Sequence, residues 1–209
     1  MTTWAIISVK HLSMAKSSLS PALTLAQRRE LVLCMLADVL NAVHNARSVA
    51  GAIVVSPDEE VLNFARKNGV IGILEPGIEL NEALKLAIDH AVVKGASSAL
   101  ILPSDLPLLK GADVENIIAM ASPPRGVVIA PSKDNGTNAL LLLPPDVINL
   151  RFGGESFPSH LAEARRVGIR PHIYRSAKVA IDVDDVEDLS KVETSGLGTS
   201  TKSFLQSLR

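Results

Sequence analysis

The stretch Ala99-Leu100-Ile101-Leu102-Pro103, followed by Ser104-Asp105-Leu106-Pro107, decides the fold because it places a carboxylate directly after an apolar run. A short continuous apolar run bounded by turn residues is typical of a strand buried on both faces. Near the other end of the chain, Val179-Ala180-Ile181 leads into Asp182-Val183-Asp184. A carboxylate at the tip of a core strand is stable only where a cation, a donor or water meets it. The two segments therefore predict a shared metal site at one end of a sheet.

Strand-like and helix-like segments alternate along most of the chain, which is typical of an α/β fold. Apolar runs predict strands at 4–9, 53–55, 70–74, 99–103, 127–130, 139–143 and 169–174. Helical patterns predict helices at 80–93, near 113–120 and near 158–167, and others that begin near 25, 57 and 184. Thr24 and Gln27 form a capping-box pattern. Ser56-Pro57-Asp58-Glu59 is typical of a helix start with the serine as the cap.

The Ser/Thr/Gly-rich residues 194–201 predict a loose linker, and 202–209 a short helix. We therefore expect one domain over residues 1–193, followed by a linker and short C-terminal tail over 194–209. No internal repeat is present.

Composition excludes several classes of protein. Of the 209 residues, 47% are hydrophobic and 21% charged, which supports a sizeable core and argues against disorder. Aromatic residues make up only 3%, so platforms for base stacking are not expected. The net charge is −1 with no block of like charge, which argues against nucleic acid or an anionic membrane as a partner. With one cysteine, no leader and no membrane-length apolar run, we expect a cytoplasmic protein.

Familiar site motifs are also missing from the sequence. No glycine precedes Gly51, so neither a Walker loop nor a Gly-x-Gly-x-x-Gly turn follows the first strand. The five histidines lack the spacing of zinc ligands. Cys34 lies in a helical apolar pattern, and we expect it to pack in the core.

Charged residues after the predicted strands are the first candidates for a site. Lys10 and Lys16 follow the first strand, where ligands bind in open α/β sheets, and could clamp a polyphosphate. The alternative is a solvated surface loop. Asp105 could instead cap a turn. Asp182 and Asp184 face the same side of an extended segment, although Asp184 also fits a helix cap.

Two further clusters combine glycines with hydroxyl or amide side chains. Asn135-Gly136-Thr137-Asn138 lies between two apolar strands and fits a plain hairpin turn. Phe152-Gly153-Gly154-Glu155-Ser156 precedes a helix, where free N–H groups, the helix dipole and a hydroxyl favour an anion. The alternative is a flexible turn capped by Ser156.

Taken together, these segments resemble the 2-phospho-L-lactate guanylyltransferases of deazaflavin coenzyme F(420) biosynthesis, whose close relatives prefer phosphoenolpyruvate. The resemblance covers residues 4–190 and depends on the combination of motifs in order. They are Val9-Lys10-x5-Lys16-Ser17, Val54-Val55-Ser56-x-Asp58, Leu80-Asn81-x-Ala83-Leu84, Leu102-Pro103-Ser104-Asp105-Leu106-Pro107, Gly136-Thr137-Asn138-Ala139-Leu140, Phe152-Gly153-x2-Ser156-Phe157-x2-His160 and Asp182-Val183-Asp184. The chain departs from the family at Ser18, where an arginine is common.

The resemblance implies a single-domain α/β protein with a Rossmann-like nucleotidyltransferase fold of the glycosyltransferase-A type, a mixed, mostly parallel sheet flanked by helices. It implies transfer of GMP from GTP to the phosphate of 2-phospho-L-lactate, with release of pyrophosphate and formation of lactyl-2-diphospho-5'-guanosine. A homodimer is expected from the family. The alternatives are phosphoenolpyruvate or 3-phosphoglycerate as the acceptor, a same-fold nucleotidyltransferase for a sugar phosphate or molybdopterin, and a non-catalytic nucleotide-binding subunit.

Roles for individual residues follow from the motifs and the resemblance together. We expect His160, one turn after Ser156, to lie at the surface. The expected catalytic residues are Lys10, Lys16 and Asp105; the Mg²⁺ ligands are Asp105, Asp182 and Asp184; the acceptor-binding residues are Thr137, Asn138, Gly153 and Ser156; and the nucleotide-binding residues are Ser56, Asn81 and Ser104.

Overall fold

A computed structural model describes all residues from Met1 to Arg209. Seven strands and seven α-helices alternate except that β6 follows β5 and α7 follows α6, and two short 3-10 turns, Leu12–Met14 and Ser17–Leu19, follow the first strand. The strands are β1 Thr3–Ser8, β2 Val49–Ser56, β3 Ile71–Leu74, β4 Ser98–Pro103, β5 Gly126–Pro131, β6 Thr137–Leu143 and β7 His172–Ile173. The helices are α1 Leu25–His44, α2 Glu59–Lys67, α3 Leu80–Val93, α4 Gly111–Ala119, α5 Ser156–Arg166, α6 Val186–Ser195 and α7 Ser200–Ser207.

The strands form one sheet in the order β3-β2-β1-β4-β6-β5-β7. Pairing is parallel except around β6, which runs antiparallel to both β4 and β5. The carboxyl ends of β1 to β4 and the amino end of β6 therefore share one edge of the sheet. This arrangement confirms the expected mixed, mostly parallel α/β sheet.

Alternating side chains of the strands divide the core into two layers. Ala5 and Ile7 of β1 pack on the larger layer with α1, α2, α4, α6 and α7. Ile6 of β1 packs on the opposite layer with α3 and α5. Helices on both faces explain why the central strands are continuous apolar runs.

A bulge interrupts the pairing of β6 with β5. Ala130 lies opposite Ala139 whereas Pro131 lies opposite Thr137, so Asn138 is the extra residue. A bulge redirects the side chains on either side of it and often occurs beside a site. Here the Asn138 amide reaches the loop before α6, and the Thr137 hydroxyl reaches α5 on the other face of the sheet.

Several predicted boundaries differ from the structure. Helix α2 begins two residues later than the Ser56 pattern implied, because Asp58 is the cap and accepts a hydrogen bond from the Glu60 N–H. Helix α6 is capped by Asp185, not Asp184. The last predicted strand is reduced to His172–Ile173. Thr24 and Gln27 form the predicted capping box of α1.

The C-terminal tail is more ordered than its composition suggests. Thr199 caps α7 and is buried, as is Thr201. The Asp38 carboxylate of α1 accepts hydrogen bonds from the Ser200 N–H at 2.6 Å and the Thr201 N–H at 3.0 Å. Residues 194–201, expected to form a loose linker, contain the end of α6 and the start of α7, and the start of α7 is bound to α1; the predicted tail helix is present. None of the helices has the length and apolar character that crossing a bilayer requires.

Candidate active site

A cavity of about 520 Å³ opens at the shared edge of the sheet. It lies at the carboxyl ends of β1 to β4, the position where open α/β sheets bind ligands. Strand ends and the segment after β1 supply its polar lining. Its polar and charged lining includes Lys10, Lys16, Glu75, Ser104, Asp105 and Asp184.

The Lys16 ammonium joins two acidic segments that are far apart in sequence. Its Nζ atom lies 2.5 Å from Asp105 Oδ2 and 3.0 Å from Asp184 Oδ1. Burial alone would lower the pKa of Lys16, but the two carboxylates outweigh it, so that pKa is raised above its usual value. Lys16 also has a φ of 38°, in the left-handed region that non-glycine residues seldom adopt. Its ammonium is therefore charged and held by two carboxylates in the lining of the cavity.

Asp182 is the third carboxylate of this cluster. The Asn138 side-chain amide donates to Asp182 Oδ1 at 3.2 Å and to the Val179 carbonyl at 2.8 Å. Burial raises the pKa of Asp182, and the charges of Asp105 and Asp184 raise it further, against the opposing effect of the Asn138 hydrogen bond. The predicted meeting of Asp105 with the late aspartates is thus present.

The loop that carries Asp182 and Asp184 is held by contacts that the sequence analysis missed. Lys133 Nζ lies 2.6 Å from the fully buried Asp188 carboxylate. Asp188 in turn accepts from the Asp184 N–H at 3.1 Å. The Val183 N–H donates to the Asp105 carbonyl at 3.1 Å. The only sequence signal was Asp188 itself, at the third position of a helix whose cap is Asp185.

The acidic cluster has the ligand type of a hard cation but is not arranged as a complete metal site. No group of three or more His, Cys, Asp or Glu side chains is positioned to hold an ion. Asp105 Oδ1 is nevertheless buried with no hydrogen-bond partner, while Oδ2 binds Lys16. A buried carboxylate oxygen without a partner is costly unless a cation or donor completes it. The residues therefore fit Mg²⁺ in chemistry, and their role as ligands stays a prediction.

The three residues expected to bind nucleotide differ in accessibility. Ser104 lines the cavity. Ser56 is fully buried, and its hydroxyl accepts a hydrogen bond from the Asp58 N–H. Asn81 bridges to the backbone of Phe152, donating to its carbonyl at 3.0 Å and accepting from its N–H at 2.8 Å. Asn81 therefore connects α3 to the glycine-containing loop before α5.

Buried carboxylates shape the loops around the cavity. Glu75 Oε2 accepts from the Gly77 and Ile78 N–H groups at 2.6 and 2.8 Å. Asp58 Oδ2 accepts from the Leu12 N–H at 2.9 Å and tethers the segment after β1. Backbone donors lower the pKa of Asp58 despite its burial. Lys10 lines the same cavity, is exposed and has no ion-pair partner, so it is available to an anion.

The residues expected to bind the acceptor lie at the start of β6 and the start of α5. Asn138 is buried and engaged with Asp182. Gly153 and Gly154 have φ values of 114° and 43°, so both occupy conformations that favour glycine. Ser156 is buried and is the first residue of α5, with Glu155 at the cap position, so the alternative of a serine cap is wrong. The Ser156 hydroxyl has no partner in the protein.

His160 is fully buried, contrary to the expected surface position. Its Nδ1 atom lies 3.0 Å from Thr137 Oγ1, and Nε2 accepts from the Arg151 N–H at 3.0 Å. Burial is the main cause that lowers its pKa to about 4. The pattern Ser156-x3-His160 on one helix face was the available signal, since residues four apart lie on one side.

Comparison with known proteins adds the family. Residues 3–209 match the family model described as "Guanylyl transferase CofC like". The chain belongs to this family of CofC-like guanylyltransferases. It is 44% identical to a phosphoenolpyruvate guanylyltransferase of Sphaerobacter thermophilus, over 92% of this chain and 93% of the relative. It is 40% identical to a 2-phospho-L-lactate guanylyltransferase of Methanothermobacter thermautotrophicus, over 100% and 92% of the two chains.

A solved structure supports the fold assignment independently. A protein described as a nucleotide-diphospho-sugar transferase from Desulfovibrio desulfuricans G20 superposes with a TM-score of 0.79 at 19% identity, covering 99% of this chain and 95% of that one. Membership in the CofC-like family makes this chain a nucleotidyltransferase and confirms the resemblance drawn from the motifs.

Proposed function

We propose that this CofC-like protein transfers GMP from GTP to the phosphate of 2-phospho-L-lactate, in coenzyme F(420) biosynthesis. The observation that supports this most directly is the edge cluster of Lys16, Asp105 and Asp184, which line a 520 Å³ cavity, together with the nearby Asp182. A cavity of this size suits a nucleotide. Relatives that align over nearly the whole chain carry the names of guanylyltransferases.

The reaction joins two anions. An oxygen of the acceptor phosphate attacks the α-phosphorus of GTP, the bond from the α-phosphorus to the bridging oxygen breaks, and pyrophosphate leaves with that oxygen. A phosphate monoester has a second pKa near ~6, so the nucleophile is already ionised at neutral pH and needs no general base. Catalysis then consists of alignment and charge neutralisation. Lys10 and Lys16 supply cations on the side of the leaving group.

We propose that Asp105, with Asp182 and Asp184, also holds Mg²⁺ when nucleotide is bound. A divalent ion offsets the repulsion between two phosphates and stabilises charge on the leaving group. Asp105 Oδ1 is the natural ligand atom, because it is buried and lacks a partner. Lys16 would keep Asp105 and Asp184 neutralised before the ion arrives.

The proposed acceptor pocket joins Thr137, Gly153 and Ser156. A three-carbon acid with a 2-phosphate carries two anionic groups, which hydroxyls and the free N–H groups of a helix start can bind. Phosphoenolpyruvate has the same two groups, and the relative at 44% identity is named for it. It is therefore the second candidate for the acceptor.

Release of pyrophosphate tests the reaction and the acceptor together. The purified protein is incubated with GTP, Mg²⁺ and, in turn, 2-phospho-L-lactate, phosphoenolpyruvate and 3-phosphoglycerate, and pyrophosphate is measured by a coupled assay. We expect the highest kcat/KM with 2-phospho-L-lactate. A preference for phosphoenolpyruvate selects the second candidate. GTP binding without pyrophosphate release from any acid would refute a catalytic function.

Asp105→Ala tests the proposed metal role. We expect kcat/KM to fall at least ~100-fold, because the proposed ligand is lost. Circular dichroism and a melting curve check that the fold remains, since the Val183 N–H bonds the Asp105 backbone carbonyl and not its side chain. Asp89→Asn is the matched control, because Asp89 pairs with Lys85 on the exposed side of α3. Turnover of the Asp105 variant near that of the control would contradict the metal role.

A homodimer and a cytoplasmic location are further proposals taken from the family resemblance and the composition. Light scattering coupled to size-exclusion chromatography measures the mass in solution. A mass of about 22.1 kDa would correspond to a monomer and contradict the dimer.

A further inference from the structure

The contact between Thr137 and His160 indicates how the acceptor is held. This inference rests on the proposed function. Thr137 begins β6 at the edge of the sheet that bears the acidic cluster. His160 lies one turn into α5 and is fully buried beneath the glycine-containing loop. The two side chains meet at 3.0 Å, between His160 Nδ1 and Thr137 Oγ1.

The hydrogen bonds of His160 determine which of its nitrogens carries the proton. Nε2 receives the Arg151 backbone N–H at 3.0 Å. A backbone N–H can only donate, so Nε2 has no proton in the neutral ring. The proton of the neutral ring is therefore on Nδ1, and Nδ1–H donates to Thr137 Oγ1.

Charged groups around the ring do not reverse this assignment. Glu163 raises and Arg151 lowers the pKa of His160, and burial lowers it most, to about 4. Glu163 is itself bound to the guanidinium groups of Arg151 and Arg166, each at 2.9 Å. The ring stays neutral around pH 7, and Phe152 packs against it in an edge-to-face arrangement with the ring centroids 4.8 Å apart.

The consequence falls on the Thr137 hydroxyl. Its oxygen already accepts a hydrogen bond from His160 Nδ1–H, and its own O–H has no acceptor in the protein. A hydroxyl whose oxygen is occupied in this way is oriented as a donor. The Ser156 hydroxyl is also without a partner in the protein, and Gly153 and Gly154 have no Cβ atoms in the loop before α5.

We propose that His160 is a positioning residue that fixes the Thr137 hydroxyl as a donor to the phosphate or carboxylate of the acceptor. It does so without touching the acceptor itself. The hydrogen bond from the Arg151 N–H to Nε2 fixes the direction of the bond between His160 and Thr137. In the opposite tautomer an Nε2–H would point at the Arg151 N–H, and the two hydrogens would repel each other. An anion is thus favoured over a neutral or cationic group at this position.

The tautomer can be measured without substrate. Nitrogen-15 spectra of the protein should show His160 with a protonated Nδ1 and an unprotonated Nε2 across pH 6 to 8, the form less common in free histidine. A protonated Nε2, or a ring that titrates near ~6.5 as free histidine does, would overturn the proposal.

Two substitutions at His160 separate its two hydrogen bonds. The amide nitrogen of His160→Asn can replace Nδ1 and keep donating to Thr137. The amide oxygen of His160→Gln can replace Nε2 and keep accepting from Arg151, but the donor to Thr137 is lost. We expect the acceptor KM to rise more in the Gln variant than in the Asn variant, with the GTP KM nearly unchanged in both. Equal changes in both variants would indicate a structural role only and overturn the proposal.

Substitutions at Thr137, alone and combined with His160→Gln, form a double-mutant cycle. Thr137→Val should raise the acceptor KM by ~10- to 100-fold, the range of a hydrogen bond to a charged group, and Thr137→Ser should restore most of it. Combined with His160→Gln, the Val variant should add little, because both changes remove the same oriented donor. Full additivity, or an unchanged acceptor KM in Thr137→Val, would overturn the proposal and leave the proposed function intact.

Failure of the proposed function is distinguishable. If no pyrophosphate is released, binding of phosphoenolpyruvate and 2-phospho-L-lactate is measured by calorimetry. Binding that weakens in Thr137→Val still supports the oriented donor. Binding of neither acid refutes both the proposed acceptors and the donor role.

Discussion

Asp182→Asn should make the protein more stable while it removes a carboxylate of the candidate site. Burial and the charges of Asp105 and Asp184 raise the pKa of Asp182, so its ionised form is disfavoured in the folded chain. Asparagine keeps an oxygen that can accept the Asn138 amide hydrogen bond, now 3.2 Å long. The substitution therefore removes repulsion and leaves the contact.

The size of the effect is limited by Lys16. Two unit charges ~4 Å apart at an effective dielectric constant of ~20 repel by about 4 kcal/mol. Lys16 offsets much of this, since its Nζ lies 2.5 Å from Asp105 and 3.0 Å from Asp184. We therefore expect a gain of ~1 kcal/mol in the free energy of unfolding, within the range usual for relief of charge strain. For a chain of this length that gain raises Tm by ~2–4 °C.

The gain should depend on pH in one direction. The unfolded carboxyl has a pKa of about 3.8 and the folded one a higher pKa. Between these two values the folded chain retains a proton that the unfolded chain has lost, so wild-type stability falls as pH rises through this window. The advantage of Asp182→Asn is then complete above the folded pKa and declines as pH falls toward the unfolded value.

Urea unfolding followed by circular dichroism at pH 7 and at pH 5, with EDTA present, measures the difference. Asp184→Asn is the contrasting variant, because it loses an ion pair with Lys16 and should gain nothing. Asp89→Asn reports the effect of a surface charge on α3. Destabilisation by Asp182→Asn at pH 7, or a larger gain at pH 5 than at pH 7, would refute the reasoning.

Two other substitutions address the tail and the loop before α5. Asp38→Ala should lower the free energy of unfolding by about 2–3 kcal/mol, because the carboxylate accepts hydrogen bonds from Ser200 and Thr201. Urea unfolding measures this free energy, and a loss below ~0.5 kcal/mol would contradict the structural role of the tail. Asn81→Ala should raise the acceptor KM by ~10-fold, because the backbone of Phe152 loses two hydrogen bonds, and the GTP KM should change little. Steady-state kinetics with each substrate varied in turn measures both constants. A rise confined to the GTP KM would instead support the nucleotide contact predicted for Asn81.

The sheet was predictable because its strands are continuous apolar runs whose length and boundaries identify them. The edge cluster was predictable only in part. Asp105 follows β4 as expected, whereas Asp182 and Asp184 lie in the loop before α6 and not at the end of a strand. Lys16 lines the cavity and contacts Asp105 directly, and it adopts a left-handed backbone conformation that no local sequence pattern indicates.

Other features depend on contacts between distant segments. Burial of Ser56 and His160 follows from layers that close over them, and single-sequence periodicity does not report which helix covers which strand. Residues 194–201 look like a linker because they are rich in Ser, Thr and Gly. Asp38, far away on α1, binds the start of α7 and makes the same residues a capped helix start.

The bulge at Asn138 places that side chain on the same face of the sheet as Ala139, toward the Asp182 loop, while Thr137 faces α5. Removal of the codon for Asn138 would restore regular alternation, with Thr137 still opposite Pro131 and still facing His160. A single deletion would thus detach the Asp182 loop and leave the contact between Thr137 and the His160 ring in place. Insertions and deletions at this position are a direct route by which such a scaffold could exchange one small acid for another during divergence.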